Sequence, residues 1–231
     1  MPTFELALAV ALSVPHPGAA EPVQMPPVGF RYATQVDMVS TSTSGTDSRT
    51  HSVLRREVVA SDGTTIKTRN EGMIAGSDGE FPISGTTTYR LFFLVDTELV
   101  ARPAPDQPPV TNGTTWNCPP EGLDRFYPRG DAPQVSLACR VTGKASGRVV
   151  QSMPVTLSFS DLGDTEVTTK AGEFDVRKLV VRATTASEMT NEITYYFAPD
   201  LGISVVQDTK VSTPHLETVT HAEVSELTPA Q

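Results

Sequence analysis

Four histidines, two cysteines and a scatter of carboxylate pairs are the groups in this chain with reactive chemistry to offer. The histidines are His16, His51, His215 and His221. On one strand, His215 and His221 would lie about 20 Å apart at 3.3–3.4 Å per residue, too far to share a metal ion. Solvent-facing imidazoles are the simpler reading. Asp161 with Asp164, and Glu188 with Glu192, fall where turns and strand ends are expected, and there solvated charge is the ordinary explanation. A glycosidase-type carboxylate dyad could arise only if the fold brought distant residues together. The chain has no Gly-x-Ser-x-Gly elbow, no His-Glu-x-x-His, no phosphate-binding Gly-x-x-x-x-Gly-Lys-Ser/Thr and no Gly-x-Gly-x-x-Gly. The expectation is a protein that is not an enzyme, with no catalytic residue, no metal and no cofactor.

Cys118 and Cys139 are the only thiols. An even count in an exported chain points to one disulfide. Closing residues 118–139 would contribute about 3 kcal/mol by the chain-entropy argument. The alternative is two separate buried thiols. Cys139 is in phase with Val135, Leu137 and Val141, so it faces the core either way. Two Cys without paired His cannot fill a zinc shell, and there is no Cys-x-x-Cys.

The chain has 231 residues and a net charge of −9, from 18 Lys+Arg against 27 Asp+Glu. Binding nucleic acid or an anionic membrane needs a basic face, and this balance argues against one. At 38% hydrophobic and 19% charged residues, the composition is neither that of a disordered acidic tail nor that of a membrane protein. Residues 1–20 contain an apolar stretch from Leu6 to Val14, followed by small residues at Gly18 and Ala20. That fits a secretory signal cleaved before Glu21, although no Lys or Arg precedes Arg31. The competing reading is a first element of the fold. No stretch reaches the roughly 20 apolar residues of a transmembrane helix.

Thr and Val dominate and helix patterns are scarce, so the elements that position these groups are strands. Phe30–Met38 alternates with period two. Thr50–Val59 and Thr64–Ile74 flank Ser61-Asp62-Gly63, a hairpin signal, while Val53–Val58 could also form helical turns. Tyr89–Val100 reads as the most apolar, central strand. Residues 102–133 read as an irregular Pro/Gly-rich insertion, with a short strand running into Trp116. Val135–Val141 and Met153–Phe159 alternate, Asp161-Leu162-Gly163-Asp164 reads as a turn, and Glu173–Arg182 changes phase at Arg177-Lys178, which suggests a bulge. Strands follow to Val224. The expectation is an all-β, mainly antiparallel domain over 21–231: about eleven strands in one curled sheet, half-barrel or barrel-like, with few or no helices. Three short matches are read as accidents of composition: Arg129-Gly130-Asp131, Asn112-Gly113-Thr114 and the basic pair Arg55-Arg56.

Ala171-Gly172-Glu173-Phe174, Tyr195-Tyr196-Phe197-Ala198-Pro199-Asp200-Leu201-Gly202 and Gly113-Thr114-Thr115-Trp116 form a further pattern. It resembles a bacterial periplasmic family of unknown function with Ala-Gly-x-Phe and Tyr-x-Ala-Pro-x-x-Gly motifs, over roughly residues 110–210. This chain departs from it at Tyr196, where Trp is frequent, and in the cysteine-closed insertion after Trp116. The resemblance implies a curled sheet similar to the half-barrel of LolA-type lipoprotein carriers, secreted to the periplasm, with no activity assigned. The residues also have folding roles of their own. Gly172 permits a tight turn, and Pro199 with Gly202 shapes another, with Gly202 free to take positive φ. Trp116 belongs to the same structural set.

The favoured function is therefore an exported, non-enzymatic β protein binding an apolar or lipidic ligand, or an envelope partner, in the concavity of its sheet. Phe92, Phe93, Phe159, Phe174, Tyr195 and Phe197 are the candidates for lining it. The alternatives are an envelope assembly factor acting through a protein–protein surface, and a hydrolase with dispersed carboxylates.

Overall fold

A computed structural model describes residues 23–76, 79–102, 108–126, 134–185 and 189–228. The signal-like segment, the Arg-Gly-Asp tripeptide and Glu188 lie outside these residues. The described strands are β1 (Arg31–Ser42), β2 (Asp47–Ser61), β3 (Thr65–Gly76), β4 (Gly79–Arg90), β5 (Phe93–Ala101), β6 (Val110–Asn117), β7 (Gln134–Ala145), β8 (Arg148–Thr169), β9 (Gly172–Thr184), β10 (Thr190–Ala198), β11 (Ile203–Ser212) and β12 (Leu216–Thr228). One short helix, α1 (Pro120–Phe126), lies between β6 and β7. Each strand pairs antiparallel with the next in sequence, and β12 pairs with β1, so the sheet closes into an up-and-down barrel. The all-β expectation holds, and the curled sheet is a closed one.

Turn chemistry sets the register. Asp62 accepts the N–H groups of Thr64 and Thr65 at 3.1 and 2.7 Å, and Gly63 takes φ +86°. This is the expected hairpin, and Val53–Val58 is strand throughout. Two expectations are corrected. Tyr89–Val100 is not one strand: the chain turns at Leu91-Phe92, with Leu91 at φ +55°, and β4 and β5 run on either side. The run is apolar because its turn points into the barrel, where Leu91, Phe92 and Phe93 are buried. Asp161–Asp164 is not a chain reversal either. It is a bulge inside the long β8, opposite Arg177–Leu179 of β9. Asp161 accepts the Gly163 N–H at 2.9 Å, so the local loop is absorbed without ending the strand. The phase change at Arg177-Lys178 marks this bulge, with the extra residue on the partner strand.

Beyond Arg177, the last β9 residue paired with β10, the β8–β9 hairpin continues as an arm to Thr169 and Gly172. It touches β11 and β12, and Lys170 at its tip hydrogen-bonds Gln35 and lies 3.6 Å from Glu223. Its Val167, Phe174 and Val176 join Phe30, Tyr32, Val58, Ile203, Val205 and Val224 in one of two apolar clusters.

Closure depends on glycines that face the interior. A Cβ at Gly72 would lie 2.0 Å from the Val53 carbonyl oxygen, and one at Gly85 would lie 1.9 Å from that of Glu98. Backbones approach this closely only where the sheet bends sharply. Gly85→Ala must push β5 away from β4, and a loss of about 3 kcal/mol is expected, at the upper end of overpacking costs. Equilibrium urea unfolding checks it, and a stability unchanged from wild type would refute the tight bend.

Many outward positions are charged. Arg31 and Arg69 both bind Glu57 (3.4 and 2.6 Å), Lys210 binds Glu217 (2.8 Å), and Arg182 binds Glu192 (2.5 Å). A charge facing lipid at the bilayer midplane costs about 2–4 kcal/mol, so these positions favour water. Among the described residues no helix is long and apolar enough to cross a membrane.

Candidate ligand cavity

An eight-stranded barrel is just filled by its own side chains, and twelve strands enclose more. Here one end is filled from outside the strands. The Leu91-Phe92 turn and α1 send Phe92, Leu123 and Phe126 into the interior. Phe93, Phe159, Tyr195 and Phe197 meet them from the strands, each at most 1% exposed. Phe92 packs edge-on against Phe126, Phe159, Tyr195 and Phe197 at centroid distances of 6.0, 6.4, 5.4 and 6.3 Å, and Phe93 against Trp116 at 6.0 Å. Five of the six candidate lining residues thus form a solid aromatic floor. Phe174 stands apart, half-buried on the arm. Of the six, only Phe92 borders the cavity described below.

The expected irregular insertion contains α1, which is a correction. Proline is tolerated at the first turn of a helix, where its missing N–H is not needed. Leu123 and Phe126 then give the helix a buried face. Cys118 and Cys139 are joined, and the bridge pins the start of this segment to β7 where the β6–β7 ladder ends. Gly172 (φ +139°) and Gly202 (φ +64°) take the positive φ their turns require. Gly202 also sits under the strap of residues 23–30. A Cβ there would lie 2.4 Å from the Gln24 carbonyl oxygen, and the Gln24 N–H donates to Pro199 at 3.1 Å.

Above the floor, between β1–β4 and β11–β12, side chains leave a cavity of about 40 Å³. Ile66, Leu91, Phe92, Ile203 and Val205 make its apolar walls, and Thr34, Arg56, Ser204 and Gln207 are among its polar ones. Arg56 is the residue that sequence reasoning missed. It shares the inward phase of Ser52, Leu54 and Val58 on β2. Its guanidinium lies 6.0 Å from the ring centre of Tyr32 and 5.9 Å from that of Tyr89, and donates to the Tyr89 hydroxyl. Burial pushes the Tyr32 phenol far above its ordinary range, so it stays neutral beside the cation. The buried Arg56 Nε and the buried Ser204 Oγ have no hydrogen-bond partner. Tyr32 and Arg56 also line a surface recess of about 410 Å³, so the guanidinium lies between the two spaces.

Neighbouring inward positions are polar but satisfied. Asn70 donates to Thr87 Oγ1 (2.8 Å), whose hydroxyl lies 3.3 Å from that of Thr97, and Thr97 donates to the Thr86 carbonyl (3.4 Å). Towards the far end of the barrel, Val36, Met38, Ile74, Ile193 and Thr220 keep the inward phase but are only half-buried.

The carboxylates and histidines lie elsewhere. Arg177 bridges Asp161 and Asp164 at 2.8 Å each. His215 precedes β12 rather than sharing a strand with His221, and both are solvent-facing. Asp208, His221, Asp37 and His51 occupy one row across β11, β12, β1 and β2. Each ring Nδ1 lies 2.7 Å from its Asp, His51 with Asp37 and His221 with Asp208. Among the described residues no three metal-ligating side chains are placed to share an ion. The hydrogen bond from His51 holds the Asp37 carboxyl below the usual range. A depressed folded-state pKa gives stability that is present above the unfolded value, about 3.9, and lost as pH falls through the lower folded one. Asp37→Asn should therefore cost less than about 1 kcal/mol at pH 7, since the pair is exposed, and the two proteins should converge at pH 2. Urea melts at both pH values check this.

No protein family and no curated protein matches the chain. The envelope-family resemblance therefore rests on its motif residues alone. Among solved structures, the hypothetical lipoprotein YmcC from Escherichia coli K12 is similar, with 11% identity and a TM-score of 0.45 over 87% of this chain and 85% of that one.

Proposed function

We propose that this chain is an exported, non-enzymatic β-barrel that binds an apolar or lipidic ligand in its interior. The observation that carries this reading is a barrel with an aromatic floor and, above it, interior space its side chains do not fill. Barrel mouths and enclosed apolar spaces with a few polar groups are common ligand sites. The disulfide and the signal-like N-terminus support an oxidising, envelope-side location, with the periplasm as the compartment. The test is native mass spectrometry of protein recovered from the periplasm, followed by solvent extraction. One extractable lipid-like molecule per chain is expected, and protein that is empty in every preparation would sink the reading.

A second reading, a protein–protein surface, is favoured by one feature. Val149 and Val150 near the β7–β8 hairpin tip are 60% and 65% exposed. Replacing both with Asp should abolish capture of an envelope partner if that surface is the functional one.

A further inference from the structure

We propose that the Arg56 cavity, about 40 Å³ and so sized for a head group, is a carboxylate site, holding the acidic end of a single-chain amphiphile whose tail enters the barrel by parting the apolar walls. This rests on the ligand-binding reading above and specifies the ligand's chemistry. Arg56 is half-buried with its Nε fully so, and a guanidinium even partly taken out of water is costly unless an anion accompanies it. Among the described residues no carboxylate forms an ion pair with Arg56; its charged form is supported by the hydroxyls and ring faces of Tyr32 and Tyr89.

Two donors in the same cavity are left over, Arg56 Nε and Ser204 Oγ, both buried and unpartnered. A carboxylate has two acceptor oxygens to match them. A water molecule would fit the space and could take a hydrogen bond, but it would not balance the charge. Among the described residues no second Lys or Arg lines the inner cavity, so the site suits a single negative charge rather than a doubly charged phosphate. The walls of Ile66, Leu91, Phe92, Ile203 and Val205 suit methylene groups directly behind the head.

The test uses the purified full chain, stripped of co-purified lipid, titrated by calorimetry with dodecanoate, dodecanol and butyrate. Dodecanoate should bind at least tenfold more tightly than dodecanol, because a charge-assisted pair is worth that much. Arg56→Met should bring the ratio close to one through loss of dodecanoate affinity alone, and Arg56→Lys should retain part of it. If butyrate binds as tightly as dodecanoate, with the same dependence on Arg56, the carboxylate site stands and the lipidic ligand falls. If dodecanoate and dodecanol bind wild type equally, the carboxylate site is overturned while the apolar ligand survives. If no probe binds, the carboxylate site is likewise overturned. Should the Met variant fail to fold, the wild-type melting shift decides: dodecanoate must raise Tm more than an equal concentration of dodecanol.

Discussion

Phe92→Ala is expected to lower the unfolding free energy by about 3–5 kcal/mol, the cost of deleting a fully buried phenyl ring. The site has little means of collapsing. Phe92 sits at a turn, and its ring is surrounded edge-on by Phe126, Phe159, Tyr195 and Phe197, which come from the helix and from two strands, β8 and β10. The strand backbones are held by closed ladders and cannot move inward together. The floor would therefore keep a hole, and that hole would join the cavity Phe92 already borders. Two measurements follow. Urea unfolding should show the lower midpoint with an unchanged slope, and Phe92→Leu should lose less than Phe92→Ala. If Phe92→Ala were nearly neutral, the aromatic cluster would be no floor at all, and the barrel interior would have to be open along its length.

Much of the fold could be read from local chemistry. Asp62-Gly63 and Pro199–Gly202 marked their turns because those residues satisfy specific backbone geometries, whatever the strands pack against. The alternating runs were also legible, since period two follows from the pleat. Closure was not. Pairing of β1 with β12 joins the ends of the chain, and nothing within either strand announces its partner. The glycines that permit the bend, Gly72 and Gly85, look like any other weak positions in a strand. The two misplaced breaks share a cause. At Leu91-Phe92 a turn faces the core and so carries apolar residues, hiding its turn character. At Asp161–Asp164 a polar, Gly-containing stretch is held in the strand by Arg177, hiding its strand character.

The site was legible in its apolar part and not in its polar part. Phe159, Tyr195 and Phe197 are core residues by alternation, and Phe93 by its place in the apolar run Leu91–Val95; they are buried together. Whether they line space or fill it depends on α1 and the Phe92 turn, which approach from outside the strands. Arg56 reads first as half of the basic pair Arg55-Arg56. The signal was present: Ser52, Leu54, Arg56 and Val58 share one phase, and an arginine in an inward phase is unusual. Reading it required deciding between helix and strand over Val53–Val58, and periodicity in so short a run does not decide that.

Replacing both Cys118 and Cys139 by Ser should cost about 3 kcal/mol of global stability. The bridge closes residues 118–139, a segment containing Pro119, Pro120, Gly122, Pro128, Gly130 and Pro133. α1 has seven residues, too few to be stable on its own, so the helix depends on docking Leu123 and Phe126. A staple at the base of the segment restricts the unfolded chain and also holds that docking in place. The two effects separate experimentally. If the staple acts on the unfolded chain, the double Ser variant loses its 3 kcal/mol in a single urea transition with an unchanged slope, and reducing the wild type reproduces the loss. If it acts only on docking, global stability stays where it was, and trypsin cuts the variant within residues 120–126 while the strands remain protected. The first outcome is expected, because Phe126 packs against both Phe92 and Phe159 at the centre of the floor. Undocking α1 would uncover the same rings whose burial closes the barrel end, so the helix cannot leave without the floor.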